Sequence, residues 1–306
     1  MTTSDLTDRP VSLISEAAFA KLRSTRHSSP DEIRARLAGR VRRPLVQGDG
    51  RLCIVAADHP ARGSLGVGRD SLAMASRYEL LERLIVALSR PGVDGVLGTA
   101  DVIEDLALLG ALEGKIVVGS MNRGGLRGAV FEMDDRYTGY DIGSIVSSRL
   151  DAAKLLLRIN LRDAGTARTL EQTAHAITES ASERLPILLE PFVSDWIDGR
   201  AVNDLSTEAV ITSVAIASGL GATSAYSWLK LPVVTGMERV MSAATLPTLL
   251  LGGDSGSSSD ELYAAWAGAL ALPGVHGLIV GRSLLYPHDN DVAAAVDIAV
   301  SLVHGQ

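Results

Sequence analysis

The chain has 306 residues with 36 acidic and 29 basic side chains, a formal charge of −7. Its basic residues are scattered, so a nucleic-acid surface is not expected. Apolar residues reach 46% but aromatics only 4%, which calls for a packed core built mainly of Leu, Val, Ile and Ala. No apolar run is long enough to span a bilayer. The polar start, Met1 to Arg9, lacks the basic-then-apolar order of a secretory signal, so a cytoplasmic protein is expected. The single cysteine, Cys53, falls inside a hydrophobic run and reads as a small core residue.

In chain order, residues 1–10 read as unstructured, and 12–24 and 30–40 carry helical periodicity. Ser29-Pro30-Asp31-Glu32 supplies a cap, a proline and an acidic first turn. Residues 1–45 are thus expected to form an N-terminal helical extension. From 46 to 306 one unit recurs: a short apolar run, a polar or glycine-containing loop, then an amphipathic segment. The runs are 52–57, 95–98, 115–120, 154–160, 186–190, 224–230, 248–251 and 277–280. Most are apolar on both faces, as buried parallel strands are. Segments 76–90, 101–113, 165–183, 204–219, 259–271 and 289–303 have helical spacing. Eight such units predict an α/β fold, a (β/α)8 barrel; an open doubly wound sheet is the alternative. The glycine-rich connection 121–144 is too long for a tight turn and is a candidate active-site loop.

Barrels of this kind carry their chemistry where strands run into the following loops. Lys230 stands out there, because only four of the 29 basic residues are lysines (Lys21, Lys115, Lys154, Lys230) and no carboxylate lies within several positions of it. An ammonium in apolar company is pushed toward the neutral amine, which attacks carbonyls, and arginine cannot do this. Alternation puts Ile54, Ala56 and Asp58 on one face of the first strand and Leu156, Arg158 and Asn160 on one face of the fourth. It does the same for Leu188 and Glu190 on the fifth, and for Tyr226, Trp228 and Lys230 on the sixth. If these faces point inward, a lysine is ringed by Asp58, Glu190, Arg158 and Asn160. Each has a plainer reading: Asp58 as a loop cap, Glu190 and Arg158 as a structural bridge, His59 as a loop residue before Pro60, Lys230 as a snorkelling lysine.

Leu-Leu-Leu-Gly-Gly-Asp-Ser-Gly (249–256) closes the seventh strand and Ile-Val-Gly-Arg-Ser (279–283) the eighth. Glycines there let backbone N–H groups approach an anion, and barrels often bind phosphate between these two loops. Gly252, Gly253, Gly281 and Arg282 are therefore candidate phosphate contacts, with His59 and Asn160 completing the binding set. The six histidines never fall at ligand spacing, and no Gly-x-Gly-x-x-Gly or P-loop lysine is present. No metal and no nucleotide cofactor are expected.

Over about 50–285, the order of these motifs resembles class I aldolases of the group holding deoxyribose-phosphate aldolase, the LacD tagatose-bisphosphate aldolases and the DhnA-type fructose-bisphosphate aldolases. Ala-Ala-Asp58-His59 resembles the DhnA-type Asp-His motif. Lys230 matches the Schiff-base lysine, and Gly252-Gly253 and Gly281-Arg282 resemble the phosphate loops. Pro60 and Asp254 depart from that pattern, as do Arg158 and Asn160 where some relatives carry a tyrosine proton donor; Tyr226, Glu190 or a water they hold would then supply the proton. The resemblance implies a cytoplasmic, homo-oligomeric, metal-independent aldolase acting on a phosphorylated keto sugar or sugar acid, with no nucleic-acid or membrane partner. Lys230 would form the imine, Asp58 or Glu190 would move protons, and Arg158 would favour the neutral amine and orient a substrate oxygen. Among relatives, the actinobacterial barrels of inositol breakdown are most similar. This points to 6-phospho-5-dehydro-2-deoxygluconate, split to dihydroxyacetone phosphate and malonate semialdehyde, with deoxyribose 5-phosphate and fructose 1,6-bisphosphate next. A sugar-phosphate isomerase or epimerase, or a non-catalytic sugar-phosphate-binding barrel, are the alternatives.

Overall fold

The structure is a computed structural model that describes residues 13–252 and 259–305. Two helices, α1 (Glu16–Ser28) and α2 (Asp31–Gly39), precede the first strand. Then come β1 (Leu52–Ala56), α3 (Arg77–Ser89), β2 (Gly95–Gly98), α4 (Ala100–Leu108), β3 (Ile116–Ser120), α5 (Ile142–Ser147), β4 (Ala152–Ile159) and α6 (Gly165–Ser182). The second half holds β5 (Ile187–Ile197), β6 (Arg200–Asn203), α7 (Thr207–Ser218), β7 (Ser227–Leu231), α8 (Met237–Met241) and β8 (Thr248–Leu251). It ends with α9 (Ser259–Leu270), β9 (Val275–Val280), α10 (Arg282–Leu285) and α11 (Val292–His304).

The sheet runs β4-β3-β2-β1-β9-β8-β7-β5 in parallel, and β4 pairs with β5 to close it. The result is the eight-stranded (β/α)8 barrel that the alternating pattern predicts. The ninth strand, β6, lies outside the cylinder: β5 continues past Pro191 to Ile197, turns at Asp198-Gly199 and pairs antiparallel with β6. Sequence periodicity ends the fifth strand at Glu190 and misses this hairpin, because Trp196, Ile197 and Val202 are only partly covered and carry no core pattern. The helices before the barrel lie at 16–28 and 31–39, not 12–24 and 30–40; Ser15 caps the first by accepting from the Ala18 N–H at 3.1 Å.

Two apolar cores follow from strands buried on both faces. Leu52, Ile54, Ala56, Leu97, Ile116, Val118, Ala152, Leu188, Leu249 and Ile279 fill the cylinder. The opposite faces, with Cys53 and Val55 among them, pack under the helices. The amino-terminal mouth is sealed by the segment after α2. Leu45 packs against the inner core. Arg40 donates to the Lys115 carbonyl at 3.0 Å and pairs with Asp151 at 2.7 Å, and Arg43 pairs with Asp94. Each carboxylate also accepts a backbone N–H of a neighbouring strand: Asp94 from Cys53 at 2.7 Å, Asp151 from Val117 at 2.8 Å. One end of the barrel is thereby stitched shut, leaving the carboxyl ends of the strands for chemistry. Among the described residues no helix is long and apolar enough to cross a membrane.

The β1–β9 contact demands glycine. Gly277 sits opposite Leu52 at φ +132°, where an added Cβ would be driven into the Leu52 carbonyl. Gly277→Ala is therefore expected to lower stability by about 3 kcal/mol or more, combining backbone strain with overpacking. Urea denaturation of the variant against the parent measures it, and an unchanged midpoint would contradict this account.

Candidate active site

Alternation along the strands decides which side chains enter the cylinder. Asp58 lies two residues beyond the inward Ala56; Ser120 ends β3 two residues after the inward Val118. Lys154 follows inward Ala152 on β4, Glu190 follows inward Leu188 on β5, and Lys230 follows Trp228, which packs on the same inner core. Ser120 and Lys154 are register partners across β3 and β4. Because β5 lies between β4 and β7, Glu190 is placed between the two lysines.

These groups form one charged cluster. Glu190 Oε1 pairs with Lys230 Nζ at 2.9 Å, and its Oε2 pairs with Lys154 Nζ. On the far side, Lys154 Nζ lies 3.2 Å from Asp58 Oδ2. That oxygen also accepts from the Ser120 hydroxyl at 2.9 Å and from Arg123, whose Nε donates to Ser120 at 3.0 Å. Lys154 is 2% exposed, Asp58 2%, Lys230 3% and Glu190 8%. Charges this buried persist only when each has partners. Burial opposes ionisation of Asp58, yet Arg123, Lys154 and Lys230 hold its carboxyl well below the usual range. Burial likewise opposes ionisation of Glu190, but the two lysines hold it down at about 2. For Lys154 burial wins: desolvation, only partly offset by Asp58 and Glu190, pushes the ammonium down to about 8. An amine there exchanges protons near neutral pH.

The candidates from sequence fare unequally in placement. Asp58, Glu190 and Lys230 converge. Lys230 is not in purely apolar company; Glu190, forty positions away, is its partner. Arg158 lies on the inward face of β4 but is tied to loop 121–141 through Glu132, at 3.2 Å to both the carboxylate and the carbonyl. It does not form the expected bridge with Glu190. Asn160 turns away to Asp195 at 3.0 Å, and its backbone N–H donates to Thr166 Oγ1, also 3.0 Å away, so it organises the β4–α6 turn. Tyr226 precedes β7 and is half-buried. His59 heads the turn Pro60–Arg62; desolvation drives its imidazole down to about 3, so it is neutral.

Gly281 lies beneath that histidine, since a Cβ there would come within 2.9 Å of His59 Cε1 and 2.5 Å of the Ala56 carbonyl. Gly252, just after β8, meets the β9 end, its carbonyl 3.4 Å from Ser283 Oγ, with Arg282 opening α10. Gly253 and Asp254 lie outside the described residues. Loop 121–141 folds over the mouth on a buried frame. Asn122 bridges to Leu156 of β4, and Asp135 receives Arg62, the Asn122 amide at 3.1 Å and the Gly125 N–H at 2.8 Å.

Sequence reasoning leaves out Lys154, Arg123 and Ser120. The alternation that pairs Arg158 with Asn160 extends back to Lys154, and lysine is as scarce there as at Lys230. Arg123 follows the strand in an irregular loop, where periodicity gives no direction.

The chain is thus a (β/α)8 barrel with a buried lysine–carboxylate cluster at the carboxyl ends of its strands. The model of the Cgl0159-like family matches residues 50–300, and the chain belongs to that family. It is similar to the crystal structure of Cgl0159 from Corynebacterium glutamicum, with a TM-score of 0.94 and 63% identity over 96% of this chain and 99% of that one. An archaeal fructose 1,6-bisphosphate aldolase has the same fold at a TM-score of 0.62 and 19% identity, covering 90% of this chain and 100% of its own. A Schiff-base-forming fructose-1,6-bisphosphate aldolase does so at 0.59 and 20%, covering 89% and 100%. None of the curated proteins matches the chain.

Acid stability should report the cluster. Both carboxyls are depressed in the folded state, so the stability they contribute is fully present above the unfolded carboxyl range, about pH 4. It is lost as pH falls through the folded values. Urea midpoints of the parent are expected to fall steeply between about pH 4 and pH 2. Glu190→Gln should be less stable than the parent at pH 6 but show a shallower acid decline; parallel curves would contradict this assignment.

Proposed function

We propose that the protein is a class I aldolase that cleaves a phosphorylated keto sugar or sugar acid through an imine on Lys230. The observation that carries this reading is the buried Asp58–Lys154–Glu190–Lys230 series, a primary amine joined to a chain of proton carriers inside a barrel. Lys230, as the neutral amine, attacks the substrate ketone carbon, forming a carbinolamine. Glu190, 2.9 Å from that nitrogen, takes the proton the amine sheds. Lys154 gives its proton to the former carbonyl oxygen, recovers one from Glu190 and gives that to the resulting hydroxyl; water leaves and a protonated imine remains, with Glu190 again a carboxylate and Lys154 neutral. A base then removes the proton of the hydroxyl on the far carbon of the bond to be broken, the carbon β to the imine. Asp58 takes this role, with Lys154 relaying the proton to Glu190. The carbon–carbon bonding pair flows into the iminium, an aldehyde departs and an enamine stays on Lys230. Protonation of the enamine carbon and hydrolysis of the imine release the second product.

Two further features support a phosphorylated substrate. The β8 and β9 ends meet at Gly252 and Gly281, where backbone rather than side chain lines the mouth, and Arg282 adds a guanidinium fork beside them. Holding a remote phosphate there would position the reacting carbons over Lys230. By family resemblance 6-phospho-5-dehydro-2-deoxygluconate comes first among substrates, ahead of deoxyribose 5-phosphate and fructose 1,6-bisphosphate.

Borohydride reduction with each of these three compounds tests the reading. Turnover is expected with one of them, together with a mass increment confined to the peptide bearing Lys230 and absent in Lys230→Arg. No increment with any turned-over substrate would rule out the covalent route; turnover insensitive to borohydride would favour an acid–base isomerase. Lys154→Met is expected to keep the trapped adduct while turnover drops by about 10²–10⁴-fold, the range for loss of a general acid–base group.

A further inference from the structure

Five ionisable groups share the buried cluster, and their charges do not balance. Asp58 and Glu190 supply two carboxylates. Arg123, Lys154 and Lys230 supply three cationic sites. The groups around them do not correct the excess. On the β1 side His59 is neutral, its Nδ1 3.9 Å from Asp58 and without a hydrogen-bond partner among the described residues. In the turn after β1, Arg62 is matched by Asp135 of the β3 loop, and on β4 Arg158 is matched by Glu132 of that loop. At the end of β9, Arg282 also acts on His59 and is not one of the five. In a dry site, an unmatched charge is costly, and the cheapest remedy is loss of a proton. Arg123 cannot lose one, so a lysine must.

We propose that Arg123 is a positioning residue whose fixed charge, locked onto Asp58 and Ser120, obliges Lys154 and Lys230 to share one proton, so that one of the two amines is neutral at neutral pH. The direction found for Lys154 agrees with this count. Glu190 touches both amines, so the shared proton passes through a single carboxylate and either lysine can hold it. Imine formation thus begins without a prior deprotonation by solvent. This role rests on the aldolase reading for its purpose, but its measurement does not require turnover.

Reductive methylation by formaldehyde and cyanoborohydride, followed residue by residue by mass spectrometry over a pH series, reads the neutral fraction of each amine in the full chain. Exposed Lys21 serves as internal reference. Access to the site is common to all pH values within one variant, so the midpoint is the readout and not the absolute rate. In the parent, the midpoint of Lys154 or Lys230 should lie below that of Lys21. Arg123→Gln leaves two cations against two carboxylates, so the midpoint should rise by about one pH unit, a roughly ten-fold loss of neutral amine. Asp58→Asn leaves three against one, and its midpoint should fall below the parent's. The double variant Arg123→Gln/Asp58→Asn removes the ion pair as a unit, restores an excess of one, and should return near the parent value. It also avoids an unpaired buried charge, so it keeps the test available if Arg123→Gln fails to fold. A structural arginine would not produce this order. An Arg123→Gln midpoint equal to the parent's, a double variant that follows Arg123→Gln, or an Asp58→Asn midpoint no lower than the parent's overturns the proposal. The predicted order without cleavage of any aldol substrate would leave it standing and count only against the aldolase reading.

Discussion

A single carboxylate, Glu190, holds two lysine amino groups inside the barrel, one on each oxygen. Neither lysine reaches bulk water, so each depends on that carboxylate, and Lys154 also on Asp58. The carboxylates depend on the cations in turn, because an isolated buried charge would be driven to its neutral form. Removing any member therefore alters the protonation of all the others. The arrangement arises from strand order. β5 hydrogen-bonds to β4 on one side and β7 on the other, so Glu190 lies level with Lys230 on β7 and one pleat above Lys154, which pairs with Leu188 on β4.

The two ends of the cylinder handle charge in different ways. At the amino-terminal end, Asp94 and Asp151 are held by backbone N–H groups and by Arg43, Arg40 and Arg42, whose charges are fixed. Lys115 is likewise committed there, donating to the Val93 carbonyl at 2.6 Å. At the carboxyl end three cationic sites again meet two carboxylates, but two of the three are lysines, which can give up a proton. Of the four lysines, two sit in this cluster. Where only a fixed positive charge is required, the chain uses arginine; where a proton must come and go, arginine would not serve.

Much of the architecture was legible because parallel strands buried on two faces leave a continuous apolar record, and crossover helices leave amphipathic ones. The same alternation carried Asp58, Glu190 and Lys230 to the inner face, since it needs only a count of two from a core residue. It did not tell what those side chains touch. Arg158 obeys the alternation, yet its partner is Glu132 in a loop whose path has no period. Asn160 obeys it too, but lies past the end of β4, where the chain turns and local hydrogen bonds to Asp195 and Thr166 take over. The β5–β6 hairpin went unseen because its residues are half-exposed, so no burial pattern marks them.

The sequence by itself determined the number and order of strand–helix units and which residues share a face on four of the strands, so that Asp58, Glu190 and Lys230 would meet if those faces point inward. These are properties of local periodicity and of closure without free edges. The tertiary structure alone decided the pairings: that Glu190 faces Lys154 as well as Lys230, that Arg123 locks Asp58 from an irregular loop, and that Arg158 is diverted to Glu132. Pair energies of buried charges vary with separation on the ångström scale and with exclusion of water, and neither quantity is set until strands distant in the chain are brought side by side.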